Sequence, residues 1–379
     1  MSVYQPLEQR ILTKPFLLFL TIFLISLYFM AERFIFGMGS VSNLNGGFAW
    51  GIWVVYDVVI GTAFACGGYA LALTVYVLNK GKYHPLVRPA LLASLLGYAL
   101  GGFGAFFDMG RWWQFYNIFL PWHWNFNSVM LEVGLCVSLY IMVLIIEFAP
   151  AFLEKLGGKK LLPLLNKALF FFIALGILLP TMHQSSLGSL LIAMGHKVHP
   201  LWQSWHLQPL LALLSALIMG FSIVIFEASF SAVGFRRKPE THLLAGLVKG
   251  IAGLLLVFLV FRFGILIFQG KLGLIFAADR SALLFLMETF LFVMPLMVLL
   301  SPTARGDGSR LLLAAVSMLL AGALYRFNAF LFTFDPGPGY DYFPSVAEIM
   351  VTLGVIALEI MAYLVLVKKL PVLPREEHA

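Results

Sequence analysis

Ionisable side chains set inside long apolar runs are the groups of this sequence best placed to do chemistry. Eight are singled out: Asp57, Glu132, Glu147, Glu227, Arg262, Glu288, Arg326 and Glu359. Each costs on the order of 2.5–3.5 kcal/mol near mid-membrane, so roughly 20 kcal/mol or more would oppose insertion if all eight faced lipid. They must face a bundle interior, pair with one another or meet water. Arg262 and Arg326 with Glu288 suit structural pairing. A second feature is LLPTMHQSSLGSLLIAMGHKVHPLWQS at 178–204, where an apolar run ends in a proline and His183, Gln184 and two serines follow. Carboxyls and imidazoles tuned toward neutral pH act as general acids and bases.

These groups need elements to hold them, and the composition says which kind. Of 379 residues, 61% are hydrophobic and 11% charged. Soluble domains carry about 25% charged residues, so too few remain here to cover a water-facing surface. Ten runs reach the roughly 20 apolar residues that a membrane crossing needs: 15–36, 51–79, 89–108, 126–148, 166–182, 207–231, 243–268, 281–301, 310–334 and 346–369. The runs are continuous and not alternating, which predicts helices and not a barrel. The fold class expected is an all-α integral membrane protein. Pro15 to Phe36 is too long for the apolar core of a signal peptide and has no small-residue cleavage site, so it is expected to be the first span.

Charge placement orients the spans. The N-terminus, every second loop and the C-terminus hold eighteen Lys and Arg, Lys159 and Arg375 among them. The intervening loops hold four, Arg111, Lys197, Lys271 and Arg280. By the positive-inside bias both termini are cytoplasmic. The loops 37–50, 109–125, 183–206, 269–280 and 335–345 then face the periplasm. The net charge of +7 is therefore a topology signal, which excludes a nucleic-acid partner in favour of the lipid bilayer.

Depth then groups the polar residues. Asp57 and Glu132 lie about six residues inside spans two and four, roughly 9 Å below the outer edge at 1.5 Å per residue. Span three delivers Asp108 and Arg111 to that level, with Tyr98 deeper, and span five delivers His183. Convergence of Asp57, Asp108, Arg111, Glu132 and His183 is expected near the outer face. Glu147 falls at the inner end of span four and Glu227 at the inner end of span six. Such a cluster suits a quinone, whose two carbonyls need donors and whose reduction takes up two protons. Polar groups from the cluster through Tyr98 toward Glu147 would form a proton route.

Bound redox groups are not expected. A cysteine-held iron–sulfur cluster needs about four ligands, and the chain has Cys66 and Cys136 alone. The histidines are His84, His123, His183, His196, His199, His206, His242 and His378, none of them mid-span. Haem b is therefore expected to be absent, and no metal site is expected.

SVSNLNGGFAWGIWVVYDVVIGTAFACGGYALA (40–72), YHPLVRPALLASLLGYALGG (83–102), LPTMHQSSLGSLLIAMGHKVHPLWQS (179–204) and MGFSIVIFEASF (219–230) resemble one known family. It is the HybB type of [NiFe]-hydrogenase-2 membrane subunit, within the NrfD/polysulfide-reductase membrane-subunit family. The resemblance runs over nearly the whole chain. It implies two side-by-side four-helix bundles, here 51–184 and 207–334, flanked by spans one and ten. It implies a chain without haem or cluster in the inner membrane, taking electrons from a periplasmic ferredoxin-like iron–sulfur subunit and passing them to menaquinone or ubiquinone. The partners implied are the small and large [NiFe]-hydrogenase subunits. Carried over by position, the quinone pocket falls on Asp108, Arg111, His123, Asn127, Glu132 and His183. Proton transfer falls on Asp57, Tyr98, Glu132, Glu147, His183 and Glu227.

Two other readings stay open on the sequence. One is a proton-translocating or transport module with no redox role, although transporters place their sites near the midplane. The other is a membrane anchor of a different oxidoreductase complex, which leaves the in-span carboxylates unexplained.

Overall fold

The computed structural model describes residues 4–158 and 160–374; Lys159, Arg375 and His378, invoked above, lie outside the described residues. Among the described residues ten helices are long and apolar enough to cross a membrane. They are α1 (Lys14–Phe36), α2 (Trp53–Val77), α3 (Val87–Asp108), α4 (Val129–Leu156), α5 (Leu162–Met194), α6 (Gln208–Gly234), α7 (Thr241–Phe268), α8 (Arg280–Leu300), α9 (Gly308–Phe327) and α10 (Val346–Lys369). The expected all-helical class holds, with one small addition. Tyr4–Gln5 and Leu373–Pro374 form a short antiparallel pair, β1 and β2.

The largest departure from the sequence reading is at α5. The run expected to end at 182 continues as helix to Met194, and His183 and Gln184 sit inside it. Proline and the polar HQSS signal suggested a loop. Within the helix the hydroxyls bond back to its own turns: Ser185 and Ser186 Oγ both donate to the Met182 carbonyl at 2.8 Å. Such back-bonding satisfies a polar side chain without leaving the helix.

The chain divides into two compact units, and α2, α3 and α5 each contribute to both. The first takes its described residues from Met1–Thr62, Leu91–Leu179 and Pro336–Arg375. In it α1 and α10 pack closely, since a Cβ at Gly354 would overlap Ser26. Small residues let membrane helices approach in this way. Met30, Val41, Trp53, Phe107, Val351 and Val355 form an apolar cluster that ties α1, α2, α3 and α10 together.

The second unit takes its described residues from Ala63–Ala90 and Pro180–Asp335. Close approaches again fall on glycine: a Cβ at Gly220 on α6 would lie 2.6 Å from the Cys66 carbonyl oxygen of α2. The helices are cross-linked by polar groups, as when Ser317 Oγ on α9 donates to the Leu291 carbonyl on α8 at 2.8 Å.

Candidate functional site

In the first unit the site is built on an irregular turn. Trp53–Ile60 at the start of α2 is π-helical, and Asp57 lies within it. Single π turns inside helices are frequent at functional sites. Asp57 is 4% exposed, and its Oδ2 is buried without a hydrogen-bond partner. Its neighbour is the glycine face of α3. A Cβ at Gly104 would lie 2.7 Å from Asp57 Oδ2, and one at Gly101 would lie 2.8 Å from the Asp57 carbonyl oxygen. Only a helix face without side chains accepts that carboxyl.

Asp108 closes α3, and its surroundings include a residue missing from the eight singled out by sequence. Arg33 on α1 is 1% exposed. Its Nε donates to the Phe107 carbonyl at 2.8 Å and its Nη2 to the Met109 carbonyl at 2.5 Å. Its charge also acts on Asp108. The signal was readable: an arginine in the first apolar run carries the same insertion cost as the others.

Glu132 is half-buried in the first turn of α4, after the Ser128 cap. A carboxylate there meets the positive end of the helix dipole. Tyr98 is fully buried on α3 with its ring edge-on to Tyr140, centroids 4.6 Å apart. Farther along α4, Glu147 is half-buried. Its Oε1 is buried without a hydrogen-bond partner, and a Cβ at Gly176 on α5 would lie 2.8 Å from that oxygen. Two of the in-span carboxyls are thus seated on glycines of a neighbouring helix. Arg111, His123 and Asn127 stand exposed on the 109–128 segment and join no buried group.

His183 and Glu227 belong to the second unit. His183 is 1% exposed on α5, within the electrostatic reach of Arg326. Glu227 is half-buried on α6. Of the structural trio, Arg262 and Glu288 do pair, Nη2 to Oε1 at 2.9 Å. Glu288 also accepts from Trp202 Nε1 at 2.7 Å and Asn328 Nδ2 at 3.0 Å. Arg326 turns elsewhere and donates to Gln184 Oε1, the Ala212 carbonyl and Ser215 Oγ at 3.0–3.2 Å.

A further missed residue, Glu348, organises loops of the first unit. It is 1% exposed at the start of α10. It accepts from Ser42 Oγ, the Asn43 and Ser345 backbone N–H groups and Tyr342 Oη, the last at 2.6 Å. Burial and the bond to Glu348 push the Tyr342 hydroxyl above the ordinary phenol range. The Ser-x-x-Glu spacing of 345–348 is the capping-box signature, so the sequence did carry this signal.

No protein-family profile matches the chain. It is 51% identical over 372 residues to the "Probable Ni/Fe-hydrogenase 2 b-type cytochrome subunit" of Escherichia coli (strain K12), covering 98% of this chain and 95% of that protein. It is 28% identical over 242 residues to the "Menaquinone reductase, integral membrane subunit" of Nitratidesulfovibrio vulgaris, covering 60% of this chain and 56% of that one.

The first name corrects one expectation. A b-type cytochrome subunit implies haem b, so the expectation of a chain without haem is withdrawn. The fit of the residues to haem is partial. Axial ligation of a b haem between helices draws on buried histidines, and His183 alone among the described histidines is buried. The described residues therefore offer one imidazole to an iron and no facing pair. Ten crossing helices, in-span carboxyls seated against helix glycines and identity over almost the whole length lead to one conclusion: this multi-pass chain belongs to the family of Ni/Fe-hydrogenase 2 membrane subunits, the HybB type expected from its motifs.

Proposed function

We propose that the chain is the quinone-reactive subunit of a periplasm-facing [NiFe]-hydrogenase in the bacterial inner membrane, with both termini cytoplasmic. A periplasmic ferredoxin-like iron–sulfur subunit, fed by the hydrogenase small and large subunits, delivers two electrons from hydrogen. Menaquinone or ubiquinone takes them up with two protons and leaves as quinol. The observation that most supports this reading is Asp57, a carboxyl held at 4% exposure in a π turn with one oxygen left without a hydrogen-bond partner. A buried polar atom without a partner costs about 1–3 kcal/mol, a cost that persists where the atom serves a ligand or a proton. Kinship with a menaquinone reductase membrane subunit points the same way.

In this reading Asp108, Arg111, His123, Asn127 and Glu132 of the first unit bind and orient the quinone head. Asp57, Tyr98, Glu132, Glu147, His183 and Glu227 hold or move protons. Haem b, implied by the name of the E. coli relative, would supply a one-electron relay; His183 is the one buried imidazole able to hold it, and as an axial ligand it would take no part in proton transfer. An absorbance spectrum of wild type beside His183→Ala reads that assignment directly. The function itself is tested by replacement of Glu132 with Gln in the assembled complex. Quinone reduction is expected to fall at least tenfold while hydrogen oxidation with a soluble dye persists. Wild-type quinone reduction by both Glu132→Gln and Asp57→Asn removes the site from the first unit.

A further inference from the structure

A cavity of about 590 Å³ lies in the first unit between α3, α4 and α5. Its lining is wholly apolar and includes Leu95 of α3, Ile145 and Leu153 of α4, and Leu161, Leu165 and Ala168 beside or on α5. From Ile145 to Leu153 it extends along α4 for about 12 Å at 1.5 Å per residue. Its lining includes none of the residues assigned to the quinone chemistry, although Glu147 lies on α4 between the lining residues Ile145 and Ala149.

Its rim is basic. Gly157, with φ of 77°, ends α4 in the left-handed conformation, and the chain turns at once into α5. Lys155 occupies the last turn of α4, Lys160 immediately precedes the lining residue Leu161, and Lys167 immediately precedes Ala168. All three are exposed. Among the described residues from 150 to 170 the one acidic side chain is Glu154, against these three lysines. Long lysine stems reach along a helix surface to an interfacial headgroup. Basic pockets between helices on the cytoplasmic side bind anionic lipid headgroups, and this turn is one of the basic loops that the positive-inside bias places there.

We infer that the α4–α5 hairpin holds one anionic phospholipid, its phosphate on Lys155, Lys160 and Lys167 and an acyl chain in the apolar cavity. An apolar chain alone explains the cavity, and a surface phosphate alone explains the lysines. Together, on one hairpin, they fit a single amphiphile with both parts. Quinone fits less well, because its head carries no charge for three ammonium groups to meet.

The test uses the full chain, purified in mild detergent and equilibrated with phosphatidylcholine vesicles containing or lacking phosphatidylglycerol, and read by native mass spectrometry. Wild type is expected to retain phosphatidylglycerol at least tenfold over phosphatidylcholine. The surface variant Lys155→Gln/Lys160→Gln/Lys167→Gln should lose that preference with its helix content unchanged. Leu165→Trp, which fills the cavity, should lose the retained lipid with the lysines intact. Equal retention of both lipids by wild type overturns the inference. So does a retained quinone in place of phospholipid, or an undiminished preference in either variant.

Discussion

Arg33 Nε on α1 donates to the carbonyl oxygen of Phe107 at 2.8 Å, one residue before α3 ends. The last carbonyls of a helix have no partner inside it. A guanidinium fork from a neighbouring helix satisfies two acceptors at once, here Phe107 and Met109. Through them the flanking helix fixes the position of Asp108.

Arg33→Gln should therefore lower stability by about 2 kcal/mol, the penalty for stranding buried acceptors, and raise the KM for quinone with dye-linked hydrogen oxidation unchanged. Arg33→Lys should recover little, since an ammonium is a point donor and not a fork. Thermal unfolding and quinone titration of the assembled complex check both. A wild-type KM in both variants disconnects Arg33 from Asp108.

The glycine face of α3 supplies a sharper test. Gly104→Ala drives a methyl into Asp57, whereas a Cβ at Gly102 meets Ile141 Cδ1 at an ordinary 3.4 Å. Quinone reduction should fall tenfold or more in Gly104→Ala and stay within twofold of wild type in Gly102→Ala. Equal rates in the two variants would show that the Asp57 carboxyl position is immaterial.

Glu348 joins two loops that are about 300 residues apart in sequence, through Ser42 and Asn43 on one side and Tyr342 and Ser345 on the other. Hydrogen bonds to a charged acceptor contribute about 1.5–3 kcal/mol each. Glu348→Ala should free both loops, and limited proteolysis should cut within 37–51 and 335–345 well before any wild-type cleavage. Resistance equal to wild type contradicts the shared anchor.

Tyr342 gives that anchor a pH dependence. Its hydroxyl accepts from the Ile52 N–H at 3.0 Å and donates to Glu348 Oε1. Its folded pKa lies above the ordinary value of about 10, so the fold favours the protonated phenol. The unfolded chain then loses that proton first as pH rises, and stability declines. The contribution is intact below about pH 10 and falls away above it. Unfolding midpoints followed from pH 8 to 11 should drop more steeply for wild type than for Tyr342→Phe, and parallel curves exclude the effect.

How much of this was legible in the sequence differs from residue to residue. The ten crossings follow from apolar run length alone, because the bilayer thickness sets it. Ser345 and Glu348 were legible as a cap but not as a link to Ser42 and Asn43, since nothing local encodes a partner 300 positions away. His183 was placed at a membrane edge because proline and hydroxyls usually mark loops. The same serines bond to their own helix, and the helix runs on past them to Met194. The split of Arg262 and Arg326, one onto Glu288 and the other onto Gln184, depends on tertiary packing that spacing does not reveal.

The widened turn at Trp53–Ile60 has one last consequence. A π turn is an α turn carrying a surplus residue, so counting by regular helical periodicity slips by one position across it. Alignments of distant relatives that lack the surplus will pair Asp57 with its neighbour unless a gap is opened inside the helix. A single-residue deletion there should be read as a rotation of everything before it by about 100°, one residue's share of a 3.6-residue turn, rather than as a shortening.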